Sequence, residues 1–334
     1  MRKIAWSLTL VAATSIVALA FDPQIKLGGW MVNELKSSRT TGMTSGNIDT
    51  LDFLTRNVRI NLDATVSEKS TVRISSDVDS SSFLGSFVLQ DAYLDKQWSE
   101  TFRLQAGQHL VPFSQDALTD EVDRWSFDRN IITDRTLGGN PRDIGVTLTG
   151  TGMNGEDRGT FYYGAGVYNG SGPNAPNDND EMDFLGFVGY NASNWRIGGS
   201  FMTGDHNVAG NNRKRDRWSV DGNWNWNNIW VRGQYAAGQG DMPTPGFITT
   251  TDVRGYFGEI GTTGDDGKWA AWARFSSWDP DTSAGSNNIE QFQLGFGYQC
   301  APNIRTSIAW ERYDDKASPG HMTWIAGRIT SDFR

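Results

Sequence analysis

Apolar and polar residues alternate along most of this chain, and that alternation limits the folds it can adopt. Val58, Ile60 and Leu62 fall on one face of an extended segment, while Arg59 and Asn61 fall on the other. Successive side chains of a β-strand point to opposite faces of a sheet, so a period of two predicts a sheet with one apolar and one wet face. The pattern recurs as far as Phe333, and no comparable helical period appears after residue 20.

Segments from residues 25–34 to residues 321–333 give about sixteen strands of roughly ten residues, the length that a tilted strand needs to cross a membrane. Fourteen or eighteen strands also fit, because the boundaries are not sharp. Short connectors such as 191–194 occur together with longer polar ones such as 170–181 and 203–215, an asymmetry typical of bacterial outer-membrane barrels. The sequence therefore predicts an all-β fold, a transmembrane antiparallel β-barrel of about 16 strands.

Composition separates this barrel from its main rival, a soluble β-sandwich. Only 37% of the residues are hydrophobic, yet the chain has 14 Trp, 17 Phe and 9 Tyr. A membrane barrel needs an outer apolar band, two aromatic girdles and a polar interior, whereas a sandwich buries aliphatic faces. Charged residues in the middle of strands suit a wet lumen and are costly in a packed core, so the barrel is favoured.

The first 20 residues read as a secretory signal peptide: a basic start at Arg2 and Lys3, a short apolar run, and a small-residue cleavage site ending at Ala20. A retained anchor is the alternative, but the run is short for a membrane-spanning helix. Residues 21–334 would then form the barrel in the outer membrane. Cys300 is the only cysteine, which excludes an intramolecular disulfide, and the net charge of −9 disfavours nucleic acid as a partner.

One connector, residues 111–141, is too long and too apolar for a solvated loop. Gly107-Gln108 precede it, Pro112-Phe113 stand at its start, and Arg142-Asp143-Ile144-Gly145 follow it. Together these stretches resemble the phosphate-selective porin O and P family, in which a Gly-Gln-x-x-x-Pro-Phe motif precedes an insertion and an Arg-Asp-Ile-Gly strand follows it. The resemblance implies a sixteen-stranded, usually trimeric barrel whose inserted loop folds into the lumen and narrows it.

In that family, basic side chains line the route of anions. The arginines here that have the inward parity of their strands are Arg59, Arg73, Arg103, Arg196, Arg217, Arg232, Arg274, Arg305 and Arg328. The charged residues in or beside the insertion, expected to border the constriction, are Asp116, Asp120, Glu121, Asp123, Arg124, Asp128, Arg129, Asp134, Arg135 and Arg142. Guanidinium rows lower the barrier to anion entry, but mixed signs across a constriction are typical of general diffusion pores, and both interpretations remain open.

Catalytic and metal-binding chemistry is weakly supported. His109, His206 and His321 are far apart without companion cysteines, which favours loop or rim positions over a metal site. No cofactor is expected. Acidic loops at 174–183 and 264–267 leave calcium open, although a solvated loop is the simpler interpretation. The prediction is therefore a non-enzymatic porin for ions and small hydrophilic solutes, with membrane lipid as its surroundings; a plugged structural or adhesive barrel and an outer-membrane hydrolase are the alternatives.

Overall fold

The protein is described by a computed structural model, which covers residues 24–42, 47–79, 86–99, 101–152, 159–208, 211–244, 247–318 and 320–334. The predicted signal peptide and its cleavage site lie outside these residues. Within them, the strands are β1 (Gln24–Thr41), β2 (Ile48–Ser67), β3 (Ser70–Asp79), β4 (Ser86–Ser99), β5 (Phe102–Leu110), β6 (Arg142–Gly152), β7 (Thr160–Tyr168), β8 (Asp183–Asn191), β9 (Trp195–Thr203), β10 (Asp205–Val208), β11 (Asn211–Lys214), β12 (Arg217–Trp226), β13 (Ile229–Thr244), β14 (Phe247–Thr263), β15 (Trp269–Asp279), β16 (Ile289–Ala301), β17 (Ile304–Asp315) and β18 (His321–Asp332).

Sixteen of these strands form one closed antiparallel barrel, which confirms the predicted fold class. Each strand pairs with its neighbour along the chain, β9 pairs with β12, and β1 pairs with β18 to close the sheet. Closure leaves no strand edge within the barrel, so every strand has a partner on both sides. The remaining two strands, β10 and β11, form a small separate hairpin between β9 and β12.

The residues that alternate in the sequence face alternately outward and inward in the barrel wall. Ile60 and Ile74 face outward and are 39% and 46% exposed, while Arg59 and Ser75 face inward and are 6% and 1% exposed. The apolar face is thus the outer face, as expected for a barrel in lipid. Outward aromatic side chains are concentrated on β7 to β17 and include Phe161, Tyr163, Phe184, Trp195, Phe201, Trp218, Trp224, Tyr235, Tyr256, Phe275, Phe292, Tyr298 and Trp310.

Three details differ from the sequence-based expectations. β1 and β2 have 18 and 20 residues rather than about ten, because their hairpin continues well past the region where β3 pairs with β2. The expected loop at 203–215 contains the β10–β11 hairpin. His109 is not a rim residue: it is 2% exposed in β5, and its Nε2 lies 2.6 Å from Thr147 Oγ1.

Candidate functional site

The segment 111–141 is ordered by short capped helices. Helix α1 (Gln115–Leu118) begins after Ser114, whose Oγ accepts the N–H of Ala117 at 3.2 Å. A 3₁₀ turn, Glu121–Asp123, follows. Helix α2 (Ile131–Leu137) begins after Asn130, whose Oδ1 accepts the N–H of Thr133 at 3.0 Å, and ends at Gly138 with φ 79°. Side-chain caps and a left-handed terminal glycine satisfy helix ends that would otherwise lack partners.

Apolar side chains of the segment pack against the inward face of the wall, from β7 to β9 and from β13 to β18, and on β1. Ile132 is fully buried in a cluster with Val253, Phe257, Trp278 and Ile289. Earlier in the segment, Phe127 is 1% exposed and packs with two wall tryptophans, Trp272 and Trp324. These contacts account for much of the apolar content that distinguished this connector from a solvated loop.

Two wall glycines provide the space that this packing needs. A Cβ at Gly255 would lie 2.6 Å from Cδ1 of Ile132, and a Cβ at Gly297 would lie 2.6 Å from the ring of Trp125. Such distances are shorter than any van der Waals contact. A glycine inside a strand often marks the close approach of another group, and here that group belongs to the segment.

Four inward arginines donate to backbone carbonyls of the segment. Arg274 donates to Asp128 O at 2.6 Å, and Arg328 donates to Phe127 O at 2.6 Å. Irregular backbone away from bulk water must find donors for its carbonyls, and a guanidinium offers five. The same role belongs to Arg217 with Thr136 O, and to Arg305 with Val122 O and Arg124 O.

The other inward arginines pair with carboxylates of a neighbouring strand. Arg59, Arg73 and Arg232 lie directly opposite their partners in the register, whereas Arg103 and Arg196 reach a carboxylate on the diagonal, so every ion pair crosses one strand boundary. The pairs are Arg59–Asp77 at 2.6 Å, Arg73–Asp63 at 2.6 Å, Arg232–Glu259 at 2.7 Å, Arg103–Asp95 and Arg196–Asp221. The wall therefore carries compensated charges rather than a row of free cations.

A cavity of about 170 Å³ lies between the segment and β1 to β4, and its lining is mostly charged. The arginines around it are Arg59, Arg124, Arg129 and Arg142, and the acids are Asp77, Asp120 and Glu121. Arg59 and Arg142 have carboxylate partners, Asp120 at 3.1 Å and Asp91 at 2.8 Å respectively.

Arg124 is different from the other arginines of this cavity. It is 5% exposed, and neither its Nε nor its Nη1 has a hydrogen-bond partner among the described residues. Burial lowers its pKa, while Asp116 and Glu121 act in the opposite direction. A buried guanidinium without a full set of acceptors is costly, so this side chain provides unused donors beside the cavity.

Burial also shifts the pKa of other side chains in the segment. It lowers the pKa of Arg129 to about 10 and raises the pKa of Asp134 to about 6. For Asp128, burial favours the neutral carboxyl, but Arg56 and Arg328 outweigh it and lower the pKa to about 2. Asp128 is thus held ionised by its arginines, whereas Asp134 titrates close to neutral pH.

A larger cavity of about 790 Å³ lies on the side of α2 toward the long connectors. Asp134, Arg135, Tyr313 and Asp315 line it, and Gly139 borders both this cavity and the narrow one. The two spaces are therefore adjacent, with the end of α2 between them.

The remaining charged residues of the segment contact either the segment itself or residues of the barrel. Asp116 is 6% exposed and accepts the N–H of Asn130, while Asp123 pairs with Arg334 at 2.7 Å. Glu121 lies 3.0 Å from Arg56 Nε and 3.2 Å from Arg328 Nη1. The roles predicted for these residues in permeation stay predictions.

Sequence reasoning missed Arg56, which contacts Glu34, Glu121 and Asp128. Its position breaks the alternation of β2, because the β1–β2 register shifts between Val32 and Asn33 and leaves Arg56 as the extra residue. A β-bulge redirects a side chain in this way, and a strict period of two cannot reveal it. The acidic partners Asp77, Asp95 and Glu259 were also missed, since pairing across strands needs the register.

Among the described residues, no helix is long and apolar enough to cross a membrane. The same part of the chain contains no group of three His, Cys, Asp or Glu side chains that could hold a metal ion.

Comparison with known proteins agrees with the fold. Residues 36–190 match the model of the family described as phosphate-selective porin O and P, which confirms the resemblance over that part of the chain. No curated protein sequence matches significantly.

Several solved structures share the fold at low identity. The outer membrane channel DcaP of Acinetobacter baumannii has a TM-score of 0.67 at 11% identity, covering 93% of this chain and 98% of that one. OmpF of Salmonella typhi, in complex with daunomycin, has a TM-score of 0.65 at 12% identity, covering 92% and 97%. The trimer form of OmpT, an outer membrane protein of Vibrio cholerae, has a TM-score of 0.58 at 13% identity, covering 93% and 100%.

Proposed function

We propose that this chain, similar to phosphate-selective porin O and P over residues 36–190, is a non-enzymatic outer-membrane porin that admits small hydrophilic solutes and ions by passive diffusion. Residues 1–20 would direct its export and be removed, leaving residues 21–334 as the barrel. The closed sixteen-stranded wall with an apolar outer face supports the membrane location. The segment 111–141, which contacts inward side chains of many strands, would narrow the lumen.

A preference for anions, phosphate among them, is the finer part of the proposal. The observation that carries it is Arg124, whose buried guanidinium has donors without acceptors beside the cavity of about 170 Å³. The other arginines of that cavity already have carboxylate or carbonyl acceptors. An oxyanion in this cavity would be attracted by the Arg124 guanidinium, whose charge Asp116 and Glu121 compensate only in part.

Planar-bilayer recording tests both parts. The wild-type protein should conduct steadily in KCl, and its reversal potential in a salt gradient should indicate anion preference. Deleting residues 116–136 should raise the single-channel conductance and weaken selectivity, because a wider lumen leaves more solution beyond a Debye length of about 10 Å at 0.1 M salt. An unchanged conductance after the deletion would place the segment outside the path of the ions.

Arg124→Gln removes the positive charge of Arg124 and keeps a side chain of similar length, so it tests the effect of charge apart from the width of the pore. It should shift the reversal potential toward cations with little change in conductance, and an added phosphate salt should then interrupt the current less than it does in the wild type. Arg135→Gln is the control, because Arg135 is exposed in the larger cavity. If both variants shift selectivity equally, general lumen charge rather than Arg124 determines it.

A plugged structural or adhesive barrel is the second candidate. It is favoured by the tight fit of the segment, in which Asn130, Ile132 and Thr133 have no exposed surface. A barrel of this kind would show no steady current in the bilayer, while the deletion of residues 116–136 would open it. The two functions are thus separated by the wild-type recording alone.

Assembly as a homotrimer is a further part of the proposal. Among the described residues, β18, β1 and β3 contribute no outward aromatic side chain to the girdles that β7 to β17 carry, and β2 between them contributes Phe53 alone. On this face, Thr55 Oγ1 donates to Asn33 Oδ1 at 3.0 Å, and both side chains have the outward parity. Polar side chains are enriched where membrane-spanning elements contact other protein rather than lipid, so this face is the one we assign to subunit contact.

A further inference from the structure

A second cavity, of about 290 Å³, lies between the beginning of the segment and the inward face of β5 to β12. Pro112, Phe113 and Leu118 of the segment form one side of it. Arg103, Thr149, Tyr162, Phe187 and Arg196 of the wall form much of the other. Since a water molecule occupies about 30 Å³ in the liquid, the space is large enough for a small organic solute.

One side of this cavity is apolar, which is unusual for a surface that faces a water-filled lumen. Leu118 is 42% exposed, although Phe113, Phe127 and Ile132 of the same segment are nearly fully buried. Phe187, on the inward side of β8, also lines the cavity. The free energy would fall if an apolar group of a solute displaced the water in contact with this surface.

The other side presents two ion pairs rather than one sign of charge. Arg103 Nε donates to Asp95 Oδ1 at 2.7 Å, and its side chain is 51% exposed, so it can reach a solute. Arg196 pairs with Asp221, and its guanidinium carbon lies 5.0 Å from the centroid of the Tyr162 ring. With both cations compensated, the lining has strong local dipoles but little net charge.

We propose that this cavity is a subsite for small zwitterions that carry an apolar side chain, the chemistry of a free branched or aromatic α-amino acid. The carboxylate would lie toward Arg103, the ammonium toward Asp221, and the apolar body against Leu118 and Phe187. A monovalent ion gains little here, because each pair attracts and repels it in turn, whereas a zwitterion is complementary to both pairs. The inference rests on the proposed function, since solute must reach the lumen.

The test is current interruption in planar bilayers by four probes of related structure. L-Leucine has all three elements; glycine lacks the apolar body, 4-methylpentanoate lacks the ammonium, and isoamylamine lacks the carboxylate. Leucine at millimolar concentration should interrupt the KCl current, with an apparent affinity at least about five-fold higher than that of each other probe. Equal effects of all four probes, or none from leucine in a conducting channel, overturn the subsite.

Two variants test whether leucine acts at this cavity. Leu118→Ser should weaken the leucine effect several-fold, and because Leu118 is already partly exposed, the barrel should still fold. Tyr313→Ser, in the larger cavity, is the matched control and should leave the leucine effect unchanged. A wild-type protein that passes no KCl current contradicts the proposed function, whereas normal KCl current with no leucine effect contradicts the subsite alone.

Discussion

Arg334 reaches from beyond the end of β18 to the 3₁₀ turn of the segment, where its Nη2 lies 2.7 Å from Asp123 Oδ1. The same nitrogen is 2.8 Å from Asp332 Oδ2, so Arg334 bridges the two carboxylates. The residue that follows the outward Phe333 thus connects the last strand of the barrel to the segment. Both side chains of the Arg334–Asp123 pair are partly exposed, which makes the connection weak and sensitive to salt.

Breaking this bridge should loosen the turn without unfolding the barrel. We expect Asp123→Asn and Arg334→Gln each to increase fluctuations of the single-channel current at 0.1 M KCl by up to about five-fold, since an exposed ion pair contributes at most about 1 kcal/mol. At 1 M KCl the wild type should approach the variants, because salt screens the pair. Arg312→Gln, which breaks an exposed pair with Asp314, is the control; if it is equally noisy, the turn is not the source.

Two glycines of β14 test the position of the segment on the wall. Gly255→Val should displace Ile132 and the adjacent Trp278 and change the conductance by a measurable fraction, because its Cβ would collide with both side chains. Gly258→Val on the same strand meets open space and should behave like the wild type. Circular dichroism and unheated gel mobility would verify that both barrels fold. Identical conductance of the two variants would argue against the packing of α2 on β14.

Asp134 should make the channel sensitive to pH. Because its folded-state pKa is about 6 and a free aspartate titrates near 3.9, the folded protein binds this proton more tightly, so its stability falls as pH rises from about 4 to about 6. Asp134→Asn should weaken that dependence and stabilise the fold at pH 7 by at most about 3 kcal/mol, measured by urea unfolding in detergent. Protonation also removes one negative charge from the larger cavity, so anion preference should increase from pH 7.5 to pH 5 more in the wild type than in the variant.

The polar pair on the outer face should stabilise the trimer. We expect the unheated protein to migrate as a trimer in SDS and to dissociate on heating. Asn33→Leu combined with Thr55→Val should lower the dissociation temperature by several degrees, because it removes the two polar side chains of the face that we assign to subunit contact. Thr306→Val, on the strand β17 that carries outward aromatics, should have no effect. If the double variant dissociates at an unchanged or higher temperature, lipid rather than protein covers Asn33.

The fold could be predicted because it depends on a local pattern. Alternation determines which residues face outward, and the barrel closes once about sixteen such strands exist. The site depends instead on the register between strands and on contacts far apart in sequence. Arg56 illustrates the dependence on register, since a bulge reverses its parity. Arg274 illustrates the dependence on distant contacts, since its inward position was predictable but its carbonyl partner on Asp128 was not.

The carbonyl contacts of the segment also have a consequence for the order of folding. The segment is synthesised between β5 and β6, yet Arg217, Arg274, Arg305 and Arg328, which donate to it, belong to β12 and later strands. Phe127 and Arg328 are 201 residues apart in sequence. Contacts of such separation form late, because the intervening chain must first be brought together. A nascent barrel would therefore close around a segment that has not yet reached its final conformation. The lumen would acquire its final shape only after the last strands are in place.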